Sequence, residues 1–454
     1  MWKPKIDHQA VPIYRAIVDK LTDDIRTGHL QAGERMPTMR DLAEALDVTV
    51  GTINRAYGLA ERRGLLTKHV GRGTFVNTMQ TDAAAITTLD SGIIDLSLNR
   101  PARIPLSLRP VLTEIARESE AMKILDYGPS QGQPQHRQIL ADWAKQRGVS
   151  ADPRRLILTN GAQQALMVAL GTLTRPGDTV LVEELTYPGV KNLARLFGLT
   201  LQGLRLDAEG IEPDAFSTAC TQYNTRLLCC MPWVHNPTTR SMSAQRREQI
   251  TAIAIQHGVT IIEEDVYAHG DEQLPALCEL MPQQGIYIGS LSKIVAPGLR
   301  LGFMIAPAAL VPDLVAVTQT TSLMVSSIIA ELACRWIADG TAAEIASQRR
   351  QAGWALQNIA NECLTDFTIE YDRNNTHLWL TLPSPWTGID FSTKAAEHGV
   401  ITTPAEQFAV GTNVKPAALR LCLGAPDSID ALRQGLSTIA TLARSQPGPT
   451  EFRF

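Results

Sequence analysis

No stretch of this 454-residue sequence is apolar for long enough to span a bilayer, and its start, Met1-Trp-Lys-Pro-Lys-Ile-Asp7, lacks the apolar core of a secretion signal. The expectation is therefore a cytoplasmic protein with no membrane partner. Excess charge is also missing: the net charge is −4, which gives no global nucleic-acid footprint, so any DNA-binding patch has to be local. Cysteine is scarce, with seven residues at irregular spacings, which argues against a disulfide framework and against a zinc site; no metal is expected. Cys229 and Cys230 sit in an apolar run and read as core residues. What remains is ordinary for a globular chain, 44% hydrophobic and 19% charged, and long enough for two or three domains.

The chain is organised around Ser290-Leu-Ser-Lys-Ile-Val-Ala-Pro-Gly-Leu-Arg300, which lies between a strand pattern (Gly285–Gly289) and the apolar run Leu301–Ala306. Lys293 can form a Schiff base with an aldehyde, while Ser290, Ser292 and Arg300 can hold a phosphate. Pyridoxal 5'-phosphate (PLP) presents both groups. This stretch resembles the lysine loop of fold-type-I aminotransferases.

Upstream, Ile13, Ile17, Leu21 and Ile25 recur at helical spacing. Thr38 can cap a second helix, with Asp41 as its reciprocal partner and Leu42, Ala43 and Leu46 as its apolar face. Thr49 can cap a third, which carries Val50, Ile53, Ala56, Tyr57 and Ala60 inward. Two short strand patterns then flank Gly71-Arg-Gly73, a hairpin with a basic tip. Between Val48 and Thr78 the charged residues are Arg55, Arg62, Arg63, Lys68 and Arg72 against Glu61 alone. The layout is that of a winged helix. Thr49, Thr52 and Asn54 are placed to reach base edges in a major groove beside Arg55, and Arg40 and Arg72 suit phosphate or minor-groove contacts. Met36-Pro-Thr-Met-Arg-Asp-Leu-Ala-Glu-Ala-Leu46, Val48-Thr-Val-Gly-Thr-Ile-Asn-Arg-Ala-Tyr57 and Gly71-Arg-Gly-Thr-Phe-Val76 together resemble the GntR-type DNA-binding domain. That domain often carries an arginine early in its recognition helix, where this chain has Val50 and Gly51, so its base readout is expected to differ.

The remaining parts of a cofactor site follow in strand–loop–helix order, each at the C-terminal end of a strand, where open α/β sheets bind ligands. Gly161-Ala162-Gln163 opens a helix whose free N–H groups favour a phosphate. Asn236 can donate to a phenolate oxygen, with Tyr267 as a second donor. The run Val259–Asp265 ends in acids; a carboxylate against the pyridine nitrogen keeps it protonated, and Asp265 is assigned that role although Glu263 and Glu264 compete on paper. The aminotransferase resemblance adds three roles: Tyr187 stacking on the ring, Tyr127 reaching the cofactor phosphate of a partner subunit, and Arg420 gripping a substrate carboxylate.

The two halves together resemble the MocR family of bacterial transcriptional regulators. The implied fold is multidomain. A winged helix-turn-helix over 1–78 and a linker over 79–95 precede a fold-type-I aminotransferase-like α/β domain over 96–454, whose large part runs to about 320 and whose smaller α+β part covers about 321–445. The implied function is a PLP-dependent regulator, carrying an internal aldimine on Lys293, that senses PLP or an amino-group effector and acts as a head-to-tail homodimer on double-stranded operator DNA. A working aminotransferase with an appended DNA-binding module is the alternative, and a vitamin B6 sensor with no amine effector a third reading.

Overall fold

The computed structural model of the chain describes residues 2–4, 6, 12–26, 29–31, 34–62, 65–69, 73–76, 93–117, 124–146, 148–267, 274–373, 375–411 and 416–445. It divides into two compact units, residues 1–90 with 105–123, and residues 91–104 with 124–454. The division is not a single cut: residues 105–123, placed by sequence in the C-terminal domain, group with the first unit.

In the first unit, α1 (Ile13–Arg26), α2 (Met39–Ala45) and α3 (Val50–Arg62) precede an antiparallel hairpin of β1 (Leu66–His69) and β2 (Gly73–Val76), and α4 (Arg109–Arg117) packs against α3. Both caps read from sequence are present: Thr38 Oγ1 accepts from the Asp41 N–H at 3.3 Å, and Thr49 Oγ1 from the Thr52 N–H at 3.2 Å. Ile17, Leu21, Leu42, Ile53, Ala56 and Tyr57 form the core, and the buried Tyr57 hydroxyl donates to the Pro37 carbonyl at 2.9 Å. Val50, expected inward, is instead 46% exposed at the first position of α3.

The second unit is built on a seven-stranded sheet. Its strands are β4 (Leu156–Thr159), β5 (Thr179–Glu183), β6 (Thr200–Leu204), β9 (Leu227–Cys230), β10 (Thr260–Asp265), β11 (Gly285–Ser290) and β12 (Gly302–Ile305), in the order β4-β12-β11-β10-β9-β5-β6. Two short strands, β7 (Leu206–Asp207) and β8 (Gly210–Ile211), pair with each other outside it. All neighbours in the large sheet are parallel except around β12, which runs against both β11 and β4. Most of its strands are buried on both faces, which is why they read as unbroken apolar runs. One face packs on Ala165, Leu166 and Ala169 of the helix Ala162–Leu173, and the other on Phe216, Ile250 and Leu277.

The C-terminal part adds an antiparallel sheet of β13 (Ile369–Tyr371), β14 (His377–Thr381), β16 (Thr403–Pro404) and β17 (Ala418–Cys422), ordered β13-β14-β17-β16. Beside it, β15 (Val400–Ile401) pairs in parallel with β3 (Ile94–Asp95), so the last residues of the expected linker belong to a sheet. Residues 79–92 of that linker, and the expected tail beyond 445, lie outside the described residues. Among the described residues no helix is long and apolar enough to cross a membrane.

Candidate cofactor site and nucleic-acid interface

The strand β11 ends at Ser290, and the chain turns through Leu291, whose carbonyl accepts from the N–H groups of Val295 and Ala296 at 2.8 and 3.1 Å. This turn holds Lys293, whose ammonium donates to the Asn99 carbonyl. Burial pulls the lysine pKa down to about 8, so near neutral pH a fraction is the free amine that nucleophilic attack requires. A single 3-10 turn (Pro297–Leu299) then delivers Arg300 in the left-handed region, at φ 48°. Its guanidinium returns to donate to Ser292 Oγ at 3.3 Å, while Ser290 Oγ accepts from the Ser292 N–H at 3.1 Å.

The helix Ala162–Leu173 begins against this cluster. Gly161 has φ 81°, and a Cβ added to it would lie 2.7 Å from Arg300 Nη2; one added to Gly302 would lie 2.9 Å from the Ala162 nitrogen. Only hydrogen fits at these points, so the guanidinium and the helix N-terminus converge on one place. Gln163 donates to the Gly189 carbonyl at 3.3 Å, and its Oε1 is buried without a partner. Tyr187 caps the helix Pro188–Phe197 and packs, half-buried, on the same cluster.

On the opposite side, the loop after β9 presents Asn236, whose Oδ1 accepts from Arg420 Nη1 at 2.9 Å. Arg420 also donates to the Ser97 carbonyl at 2.6 Å and stacks 4.9 Å from the Phe408 ring, and its Nε is buried without a partner. Tyr267 accepts from Asn99 Nδ2 at 2.7 Å, its ring 5.6 Å from that of His377. His235, beside Asn236, bonds Thr238 Oγ1 at 2.8 Å through Nδ1; burial lowers its pKa to about 3, so it stays neutral and is no base. A cavity opens beside Lys293, lined by Asn99, Tyr267, Arg349, Arg350 and Asn375.

Lys293, Ser290, Ser292, Arg300, Gly161, Ala162, Gln163, Tyr187, Asn236, Tyr267 and Arg420 are thus gathered at the C-terminal ends of the strands. One expected site residue stands apart. Tyr127 is 82% exposed. Asp265 is buried at the C-terminal end of β10, where its carboxylate accepts from the Tyr287 hydroxyl at 2.9 Å. The segment Ser97–Asn99, which touches Lys293, Tyr267 and Arg420, went unnoticed in the sequence: its partners lie 168 to 323 residues away, and no local pattern marks it.

The donor set suits PLP. There is an amine for the aldehyde, a guanidinium, hydroxyls and a helix N-terminus for the phosphate, an amide and a phenol for the phenolate, and an aromatic face for the ring. The glycines at 161 and 302 let the Arg300 guanidinium and the N–H groups at the start of the helix Ala162–Leu173 approach one another, as an anion site requires.

In the first unit, Arg40, Thr49, Asn54 and Arg55 are exposed on α2 and α3 and Thr52 is half-buried, where a major groove could be read. Thr49 and Thr52 hydroxyls bond each other at 3.0 Å. Arg72, expected on the wing, lies outside the described residues.

Residues 91–439 match the aminotransferase class I and II family, and residues 13–76 match the gntR family of bacterial regulatory proteins. An uncharacterized HTH-type transcriptional regulator of Bacillus subtilis, YdeF, is 30% identical over 97% of this chain and 96% of its own. The probable rhizopine catabolism regulatory protein MocR of Rhizobium meliloti is 26% identical over 89% of this chain and 86% of its own. Among solved structures, the Pyrococcus horikoshii kynurenine aminotransferase superposes with a TM-score of 0.72 at 24% identity, covering 78% of this chain and 91% of that one; this likeness concerns the fold.

Proposed function

Since the chain belongs to the MocR family, in which a gntR-type regulatory domain precedes an aminotransferase class I and II domain, we propose that it is a PLP-dependent transcriptional regulator. It binds DNA through residues 13–76 and senses PLP, or an amine that reacts with it, through the pocket around Lys293. The observation that carries the reading is the coexistence, in one chain, of a capped α3 with an exposed polar face and a half-buried lysine next to Ser292 of the phosphate cradle.

Bound there, PLP supplies an aldehyde that bonds amines and an electron-withdrawing ring. The chain's residues do the rest. Lys293, with its pKa lowered to about 8, offers a neutral amine. Arg300, Ser290, Ser292 and the N–H groups of Ala162 and Gln163 hold the phosphate, Asn236 and Tyr267 orient the phenolate, and Tyr187 covers the ring. Arg420 is free to exchange its contacts to Asn236 and the Ser97 carbonyl for an effector carboxylate, a bidentate and charge-assisted contact. For regulation the ligand must bind one conformation more tightly than another. In a cytoplasmic head-to-tail homodimer, which the exposed Tyr127 suits, that preference would set the spacing of two α3 helices on paired half-sites.

The test is a gel shift at fixed salt on DNA flanking the protein's own coding region. Cofactor-free protein, PLP-loaded protein and the Lys293→Ala variant are compared. The reading expects a specific shift that PLP alters in the wild type and leaves unaltered in the variant. The site residues gathered around Lys293 also favour a second reading, an active aminotransferase; amino-group transfer in solution without specific DNA binding would establish it.

A further inference from the structure

We propose that the chain takes an amino acid bearing a second acidic group, and that Arg350, with Arg349 beside it, receives that group. The proposal rests on the reading of the pocket as a PLP site and names the chemical class of effector that the pocket accepts.

The cavity beside Lys293 is unbalanced in charge. Its walls include three cationic side chains, Lys293 from the turn after β11 and Arg349 and Arg350 from the long helix Thr341–Cys363, and no acid stands among the described residues that line it. Asn99, Tyr267, Asn375 and Thr376 add amides and hydroxyls to the same walls. The phosphate cradle lies elsewhere: Ser290, Ser292, Arg300 and Gly161 are not among the lining residues, so the cofactor's phosphate does not answer the two arginines. Arg420 is outside this lining too, and a carboxylate that it holds leaves them equally unanswered.

Arg349 donates to the carbonyls of Val295, at 2.9 Å, and of Ala102. Carbonyl dipoles satisfy its N–H groups without cancelling its charge, and burial pulls its pKa down to about 10. Arg350, the next residue on the helix, is half-buried and borders the same cavity. Two neighbouring guanidiniums repel one another in a wall shielded from water, and an anion within reach of both relieves them.

The stretch from Ser97 to Ala102 relates these cations to the amine. Its first carbonyl, of Ser97, accepts from Arg420, and its last, of Ala102, accepts from Arg349. Between them the Asn99 carbonyl accepts from Lys293. Along this short stretch the lysine is therefore flanked by a guanidinium on either side. An α-amino acid with an acidic side chain carries its groups in the matching order. Its α-carboxylate goes to Arg420, its amine comes to the place of the Lys293 amine, and its second acid goes to the arginines of the helix. A neutral side chain of the same size leaves those arginines without a counter-charge, so discrimination is by charge rather than by volume.

The experiment titrates PLP-loaded full-length protein with L-glutamate, L-glutamine, L-aspartate and L-asparagine, reading dissociation constants from the change in the cofactor's absorbance. Each amide matches its acid in size and lacks the charge. Wild type, Arg350→Gln and Arg350→Lys are compared, and thermal melting checks that each variant folds. The wild type is expected to bind at least one acid about tenfold or more tightly than its amide, the scale of a desolvated charge pair. Arg350→Gln is expected to bring acid and amide within about threefold of each other. Arg350→Lys should recover part of the preference, because it keeps the charge and loses the planar fork. A wild type that binds each acid no better than its amide overturns the proposal, as does a preference that survives intact in Arg350→Gln. A wild type that retains PLP and responds to none of the four compounds overturns it as well. A chain that retains no PLP sinks the cofactor reading itself, a different failure with a different signature.

Discussion

At the scale of single residues, the pocket is governed by what burial does to charge. Glu183 lies buried at the end of β5, where its carboxylate accepts from the Met231 N–H at 2.6 Å, and burial raises its pKa to about 8. A raised carboxyl pKa gives the folded state a proton that the unfolded chain has already released. The associated stability is full below about pH 4.5 and is lost as the pH rises through about 8. Glu183→Gln keeps the acceptor and removes the titration. Its urea midpoint should therefore gain on the wild type progressively between pH 4.5 and 8, and a constant difference would refute the account. Arg420 makes a second residue-scale prediction. Arg420→Ala should leave PLP retention intact while weakening the response to an amino acid at least about tenfold, read as the effector concentration needed to change the gel shift. An unchanged response would favour the sensor of vitamin B6 alone.

Individual elements add placement. The helix α2 is short, seven residues, so its cap matters more than its propensity. Thr38→Ala should lower the stability of the first unit by about 1 kcal/mol, measured by chemical denaturation. On α3, Arg55→Ala should weaken DNA binding for all sequences alike and reduce the slope of log affinity against log salt by about one. Thr52→Ala or Asn54→Ala should instead change which operator bases are preferred. Titrations of specific and unrelated duplexes at several salt concentrations separate the two classes. The elements also mark how far sequence patterns carry. Apolar runs gave β9, β10 and β11 directly, because a strand buried on both faces has no alternation to misread. That same absence leaves Glu263, Glu264 and Asp265 indistinguishable by periodicity, and only the aminotransferase resemblance singles out Asp265.

For the whole molecule, cofactor binding and folding are linked. A ligand that binds only the folded state at a hundred times its dissociation constant stabilises it by roughly 2.7 kcal/mol. PLP should accordingly raise the melting temperature of the wild type and raise that of Lys293→Ala much less, since the variant keeps the phosphate cradle but not the amine. An equal rise in both would mean that Lys293 does not hold the cofactor. At this scale the two compact units interleave in sequence, with residues 91–104 in one and 105–123 in the other. The segment that contributes Ser97 and Asn99 to the pocket is thus flanked on both sides by chain belonging to the DNA-binding unit.

The sequence by itself determined the two-part architecture, the capped helices of the winged unit, and the lysine loop with Arg300, because each is encoded over a few adjacent residues by spacing and residue type. Only the tertiary structure decided that Asn99 and Ser97 bond the lysine, the tyrosine and the arginine, that Val50 is exposed, and that Asp265 bonds the Tyr287 hydroxyl. The reason is physical: these facts depend on which face of a strand or helix end is covered by chain far away in sequence, and local periodicity carries no information about that covering.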